Sequence, residues 1–234
     1  MLLGSDLDCV VIDIWPILEK RFKELYDIDV PYEEVRTYKI EKCTPLTSKQ
    51  VWTVINEVLS RTDLPVYPDA LFYLKKYIKD SKVLFITSRK QRFNNETFLN
   101  LAQHFEIGQF QTFFEGIFSK ADFINRLKID YFVEDRIKHI VSIAENCPDC
   151  TVIVMDRPWN RFLNINDYNG MLRVKSWKEI MNIAYWEKAK GALKPMVNYA
   201  GKNTILSETI YSYCKAIDEI LGIKIKYPKK EVNK

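Results

Sequence analysis

The sequence predicts an α/β fold: a Rossmann-like, mostly parallel sheet with helices on both faces and a small helical cap inserted after the first strand. Three observations carry this. Short β-rich runs alternate with helical patterns along most of the chain, the ordering that builds parallel sheets covered on both sides. The stretch from Trp15 to Pro68 breaks that rhythm with helices and little strand. Acidic or hydroxyl residues close several of the strand candidates, where open α/β sheets bind their ligands.

The strand candidates are Met1 to Leu7, Val83 to Thr87, Gly116 to Phe118, Tyr131 to Glu134, Thr151 to Asp156 and Met171 to Val174. The first is the weakest, with Gly4 and Ser5 where apolar residues are typical. Within the insertion, helices are expected over Ile17 to Tyr26 and over Ser48 to Ser60. The second starts behind a Thr47-x-x-Gln50 capping box, which satisfies orphan backbone donors reciprocally. After Pro68, a natural first-turn residue, Leu71, Leu74 and Ile78 form an apolar stripe. Ser176 and Glu179 open a further helix as a second capping box. Leu206, Ile210, Tyr213, Ile217 and Ile220 form a last stripe ending at Gly222, before a solvated tail from Lys224 to Lys234. The expected organisation is a core of residues 1–14 and 69–187, a helical cap of 15–68, and a helical extension with a basic tail over 188–234.

Composition sets the class. At 234 residues, 47% hydrophobic and 28% charged, the chain can bury a sizeable core without staples. A net charge of +4 is too mild to argue for nucleic acid, and no apolar stretch approaches the roughly 20 residues that span a bilayer. No basic segment followed by an apolar run and a cleavage site opens the sequence, so a cytoplasmic location with reduced thiols is expected for its five cysteines. Cys147-Pro148-Asp149-Cys150 has no second pair to complete a zinc site and does not open a helix. It is expected to be a plain loop. The two histidines, His104 and His139, fall in amphipathic helical patterns and are expected to be structural or surface residues. The chemistry is therefore expected from carboxylates, hydroxyls and lysines.

Asp6-Leu7-Asp8 closes the first strand, so two carboxylates can converge as the chain leaves the sheet. One could attack phosphorus while the other moves a proton. Alone, this pair reads as a turn or a helix cap. Thr87-Ser88 closes the next strand, where hydroxyls and backbone amides can hold phosphate oxygens or merely cap a helix. Lys120, at the head of a helical run, can neutralise a phosphate or lie on the surface. Glu134-Asp135 closes a third buried strand, where uncompensated acid is costly and a hard cation such as Mg²⁺ answers the requirement. Four separate neutral explanations are needed where one functional explanation serves.

The order Asp-x-Asp, Thr/Ser, Lys, acidic pair resembles the haloacid dehalogenase superfamily of phosphatases. Details resemble its 5′(3′)-deoxyribonucleotidase family: Asp6 to Asp13 its first motif, Thr87-Ser88 its second, Glu134-Asp135-Arg136 its fourth. Val154 to Arg161 is similar to the next strand and loop of bacterial members, and Ser176 to Ile180 to a closing Trp-containing helix. The resemblance covers roughly residues 1 to 187. Cys9 stands where the family usually has glycine, and the 15–68 lobe has no matching motif. The resemblance implies Asp6 as nucleophile, Asp8 as acid and base, and Thr87, Ser88 and Lys120 on phosphate. It places Mg²⁺ on Asp6, the backbone carbonyl of Asp8 and Asp135, with Glu134 supporting.

The resemblance also implies a nucleoside monophosphate as substrate. Ile14 occupies a position where relatives carry an aromatic, and Trp15 either stacks on a base or packs beneath the lobe. The expected partner is thus a small phosphomonoester, with no membrane or nucleic acid partner and homo-oligomerisation left open. The alternatives are a phosphatase for nucleic-acid 3′-phosphate ends or sugar phosphates, and a catalytically inactive phosphate-binding regulator. The absence of a dense basic stripe weighs against the first, and retention of Asp6, Asp8, Lys120 and Asp135 against the second.

Overall fold

In the computed structural model, which describes residues 2–79 and 82–183, six strands form one parallel sheet. In chain order these are β1 (Leu3–Ser5), β2 (Val83–Thr87), β3 (Phe110–Phe114), β4 (Tyr131–Glu134), β5 (Thr151–Met155) and β6 (Met171–Val174). Across the sheet they run β3-β2-β1-β4-β5-β6, the order of a doubly wound α/β fold. The chain winds outward from β1 to one edge, then crosses to build the other half from β4. The topological switch therefore lies at β1 and β4, where Ser5 sits in register with both Phe85 and Val133. A ligand crevice belongs at the carboxyl ends of these two strands.

Both faces of the sheet are covered. Every residue of β2 is buried, as are Val152 to Met155 of β5, so these strands read as continuous apolar runs rather than alternating ones. On one face Leu84, Ile86, Phe132, Val152 and Val154 pack with Ala121 and Ile124 of α5 (Lys120–Leu127) and Ile140 and Ile143 of α6 (Ile137–Asn146). In the neighbouring register, Phe85 meets Phe105 and Phe110, each at 6.1 Å between ring centroids. Each large apolar side chain buried this way contributes roughly 1.5–3 kcal/mol.

Gly4 explains the weak look of β1. A Cβ there would stand 2.7 Å from Phe132 Cδ2 and 3.0 Å from Ile129 Cδ1, so the central strand is small because its neighbour's ring lies over it. Ser5 is also buried, and its hydroxyl donates to the Asp6 carbonyl at 2.7 Å.

Between β1 and β2 run three helices: α1 (Trp15–Tyr26), α2 (Ser48–Leu59) and α3 (Pro68–Ile78). α1 and α2 pack against each other, and both halves of the Thr47–Gln50 capping box are formed. Leu74 and Ile78 of the expected stripe are buried together with Ala70, and Leu71 lies at its margin. The chain divides into two compact units, Met1–Met181 and Asn182–Lys234. The stripe and tail expected over 188–234 lie outside the described residues.

Two expectations are corrected. Gly116 to Phe118 is not a strand; the third strand is Phe110–Phe114, and Gly116 N–H donates to the Phe118 carbonyl across a turn that leaves Ile117 almost fully exposed. β3 is an edge strand buried fully only at Phe110, so it lacks the aliphatic run that marks the interior strands. Residues 177–183 are helical, but the capping box is slipped. Glu179 N–H donates to Ser176 Oγ at 3.4 Å, while the Glu179 carboxylate accepts from Lys175 N–H at 3.0 Å rather than from Ser176.

Candidate active site

β1 delivers its acidic pair into a tight, heavily braced turn. The Leu7 carbonyl accepts from the N–H groups of Val10, Val11 and Ile12, which reverses the chain directly after Asp6. Cys9 takes φ +60°, the left-handed conformation that costs a non-glycine residue about 1–2 kcal/mol. The turn is therefore kept with cysteine in place of glycine, and the strain is held by neighbours. Arg157 Nε donates to the Cys9 carbonyl at 2.6 Å, and Trp177 Nε1 to the Val10 carbonyl at 2.9 Å. Tyr67 N–H donates to the Val11 carbonyl and Asp13 N–H to the Pro65 carbonyl. Trp177, in the closing helix, thus braces the turn that carries Asp6 and Asp8.

The ends of β1 and β4 and the head of α5 converge at this turn. Asp6 Oδ1 lies 2.8 Å from Lys120 Nζ, and Lys120 Nζ lies 2.6 Å from Glu134 Oε2. Lys120 is the first residue of α5, behind a Ser119–Asp122 capping box, so its whole side chain is buried while reaching toward β1. Glu134 is fully used: its other oxygen accepts the backbone N–H groups of Asp135 and Arg136, both at 3.0 Å. Asp135, just beyond β4, is buried at the same place, and ligand atoms of Asp6, Glu134 and Asp135 all lie within 4.8 Å of one another.

Charge at this cluster is unbalanced. Three buried carboxylates face the one ammonium of Lys120. Burial, with Glu134 and Asp8 nearby and only Lys120 opposing, pushes the Asp6 carboxyl up to about 7. Burial, then Glu134 and Asp6, drive Asp135 well above the usual range. Burial opposes ionisation of Glu134 too, but Lys120 and His139 outweigh it and hold its carboxyl low. Burial likewise opposes the Lys120 charge, yet Asp6 and Glu134 hold the ammonium above its ordinary value. Asp6 Oδ1 is buried and makes no well-angled hydrogen bond. An all-oxygen donor set with surplus negative charge fits a hard divalent cation.

The second motif is split by burial. Thr87 ends β2 fully buried, its hydroxyl accepting the Arg89 N–H at 3.2 Å. Ser88 faces the cavity, and its hydroxyl donates to the Glu115 carboxylate. Asp8 also faces the cavity, with Arg89 across from it: Arg89 Nε lies 3.0 Å from Asp8 Oδ2 and Nη2 lies 2.5 Å from Oδ1. The Arg89 side chain is wholly buried, and its remaining nitrogen donates to Thr97 on α4 (Asn94–Ala102) at 3.0 Å.

From these residues a cavity of about 470 Å³ extends under α1 and α2. Ile14 and Trp15 line it, as do Leu18, Tyr38, Trp52 and Ile55. Ile14 is buried at the start of α1. Trp15 is 5% exposed, with Tyr32 and Trp159 against it at 5.5 and 5.8 Å between ring centroids. Trp52, by contrast, is 53% exposed at the cavity wall.

Sequence reasoning missed several residues here. Of the two readings left open for His139, structural or surface, the structure gives the first, at the site itself: it is buried on α6 with Nδ1 3.6 Å from Glu134 Oε2 and 3.5 Å from Ser88 Oγ. His104 lies in the turn after α4 rather than in a helix. Arg89, Glu115, Trp159 and Asn160 also carried no expected role. Three of them stood in or beside recognised stretches, since Arg89 follows Thr87-Ser88 directly and Trp159-Asn160 lies in the loop after β5. Cys147 and Cys150 are free, buried thiols in the apolar core beside α5 and α6.

Comparison with known proteins bears on the family and the fold. Residues 1–190 match the family described as 5′ nucleotidase, deoxy (pyrimidine), cytosolic type C protein. The Oceanobacillus iheyensis protein OB0422, which carries a provisional nucleotidase name, is 24% identical over 188 residues, covering 75% of this chain and 99% of its own. Among solved structures, the haloacid dehalogenase-like hydrolase SP0104 of Streptococcus pneumoniae superposes with a TM-score of 0.53 at 12% identity, over 79% of this chain and 97% of its own. A Lactobacillus plantarum protein named for phosphoglycolate phosphatase does so with a TM-score of 0.52 at 11% identity, over 77% and 97%. These two share the fold. The chain belongs to the 5′ nucleotidase, deoxy (pyrimidine), cytosolic type C family, and is a phosphoric monoester hydrolase of the nucleotidase kind with a haloacid dehalogenase-like fold.

Proposed function

We propose that the enzyme hydrolyses nucleoside monophosphates, with or without the 2′-hydroxyl, through an aspartyl-phosphate on Asp6 and with Mg²⁺. The observation that carries this is the convergence of Asp6, Lys120, Glu134 and Asp135 at the sheet's switch point, with Asp8 facing the same cavity. A carboxylate oxygen of Asp6 attacks phosphorus as the bond to the leaving oxygen breaks, and Asp8 gives that oxygen a proton. Asp8 then takes a proton from water, which attacks the same phosphorus and frees Asp6 and inorganic phosphate. Ser88, Thr87 and Lys120 hold the non-bridging oxygens as charge shifts. The Ser88 hydroxyl must turn from Glu115 to donate to phosphate.

Asp6, Asp135 and the Asp8 carbonyl would hold Mg²⁺, with Glu134 supporting through Lys120 and the 134–136 backbone. Bound there, the ion supplies charge neutralisation between carboxylate and phosphate and fixes their approach.

We take residues 15–68 as the cap that selects substrate over a core of 1–14 and 69–187. In support, the cavity falls in the range of small-molecule sites, and its far wall is aromatic and aliphatic side chains of that insertion. Free thiols among the described cysteines and the family's cytosolic description support a cytoplasmic location. The test is a panel of phosphomonoesters assayed with purified protein and Mg²⁺, paired with trapping of the phosphorylated protein and mapping of the modified peptide. Mononucleotides at the head of the panel and phosphate on Asp6 are expected. Sugar phosphates or 3′-phosphorylated oligonucleotides well ahead would overturn the nucleotidase reading, and phosphate on another residue the mechanism.

A further inference from the structure

The loop after β5 makes a 3₁₀ turn, Pro158–Asn160, that reaches back across the sheet to Asp135. Trp159 Nε1 donates to Asp135 Oδ2 at 3.1 Å, and Asn160 Nδ2 donates to the Asp135 carbonyl at 2.8 Å. Both residues are buried. Asn160 is itself locked, with Nδ2 also on the Met155 carbonyl at 2.9 Å and Oδ1 accepting from Arg157 N–H and from Arg173. One turn therefore grips Asp135 by its backbone and by one carboxylate oxygen. The Trp159 ring also packs on Trp15 and Tyr32, at 5.8 and 5.7 Å between centroids, so it joins the cavity wall to the acidic cluster.

We propose that Trp159 is the positioning residue for the cation site, its indole N–H holding Asp135 in the orientation that takes up Mg²⁺. This rests on the metal-dependent reading above. A carboxylate with one oxygen already hydrogen-bonded presents the other in a fixed direction, and groups of this kind typically set metal affinity by about 10- to 100-fold. No sequence motif announces the role, because Trp159 acts on a residue 24 positions away.

The test uses the full chain and Mg²⁺ alone, with dissociation constants from calorimetric titration alongside activity as a function of Mg²⁺. Trp159→Phe keeps the ring packing and removes the N–H. It should bind Mg²⁺ about 10- to 100-fold more weakly, with the melting temperature of the metal-free protein nearly unchanged and turnover largely restored at saturating Mg²⁺. Trp15→Phe is the control, since Trp15 Nε1 has no hydrogen-bond partner; its Mg²⁺ affinity should equal that of the parent. Parent-like affinity in Trp159→Phe, or equal weakening in both variants, would overturn the proposal while leaving the metal requirement intact. Failure of the parent protein to bind Mg²⁺ would overturn both.

Discussion

Arg89 grips Asp8 through both carboxylate oxygens, from a guanidinium that is wholly buried and anchored behind by Thr97. A planar fork of this kind fixes the plane of a carboxylate as well as its position. Asp8 is the partly exposed member of the pair, so the fork aims it at the cavity. If it orients the proton donor, its loss should matter most where the leaving group needs a proton. Arg89→Met is expected to lower kcat/KM for a nucleoside monophosphate by about 10²–10⁴-fold. Hydrolysis of p-nitrophenyl phosphate, whose leaving group departs unassisted, should fall far less. Equal losses on both substrates would point to general damage to the site.

Asp6 directly follows β1 and touches Lys120. Asp6→Asn should reduce turnover by several decades, since the covalent route is removed. Because burial and neighbouring carboxylates oppose the Asp6 charge, the substitution should not lower the melting temperature of the metal-free protein. Near-normal turnover by a folded Asn variant would end the nucleophile assignment.

Trp52 emerges from the structure as an exposed aromatic of the cavity wall, beside Tyr38, whereas Trp15 is packed in. Stacking on a base is worth roughly 1–3 kcal/mol. Trp52→Ala should therefore lower kcat/KM for a mononucleotide by about 5- to 150-fold while sparing p-nitrophenyl phosphate and the melting temperature. Trp15→Ala should lower both activities together with stability, by about 3–5 kcal/mol for a buried tryptophan. The reverse pattern would move the base to Trp15.

Cys147 and Cys150 are held as thiols. Burial, reinforced by Asp122, pushes Cys147 up to about 11, and burial, reinforced by Cys147, pushes Cys150 up to about 12, from an ordinary 9.0. Because the folded values lie above the unfolded one, this contribution to stability is complete below about pH 8 and is lost as pH rises from 9 toward 12. Native protein at pH 8 should resist a maleimide at both positions by peptide mapping, and label fully only when unfolded. Replacing both with Ser should leave turnover and metal content unchanged but lower the melting temperature, since each hydroxyl enters an apolar core. Rapid native labelling or loss of stoichiometric zinc would contradict this reading.

Gly4 tests the packing of the central strand. Gly4→Ala places a Cβ 2.7 Å from the Phe132 ring, and overpacking of this kind costs about 1–3 kcal/mol. Phe132→Leu in the same chain should recover part of that loss in urea unfolding, a coupling that two independent sites would not show.

Much of the architecture was legible in the sequence because it is local. β2 is a contiguous apolar or β-branched run and β4 and β6 are each apolar at three of four positions, and the bounds of all three match the sequence reading. The Thr47 capping box is complete within four residues. Asp6, Ser88, Lys120 and Glu134 could be placed at one end of the fold because each sits at a strand end or helix start, and parallel strands bring those ends together. β3 was misread because an edge strand needs no continuous apolar face.

What only the tertiary structure decided is which side chains meet across the sheet order. Arg89 and Asp8 are 81 residues apart, Trp159 and Asp135 24, and Trp177 and Val10 167. None of these pairs leaves a periodic trace, because each depends on crossovers that set β1 between β2 and β4. The sequence by itself determined the chemical inventory and the end of the sheet where it gathers. The strand order determined the partners, since a side chain's neighbours across a sheet follow from the winding of the chain and not from spacing along it.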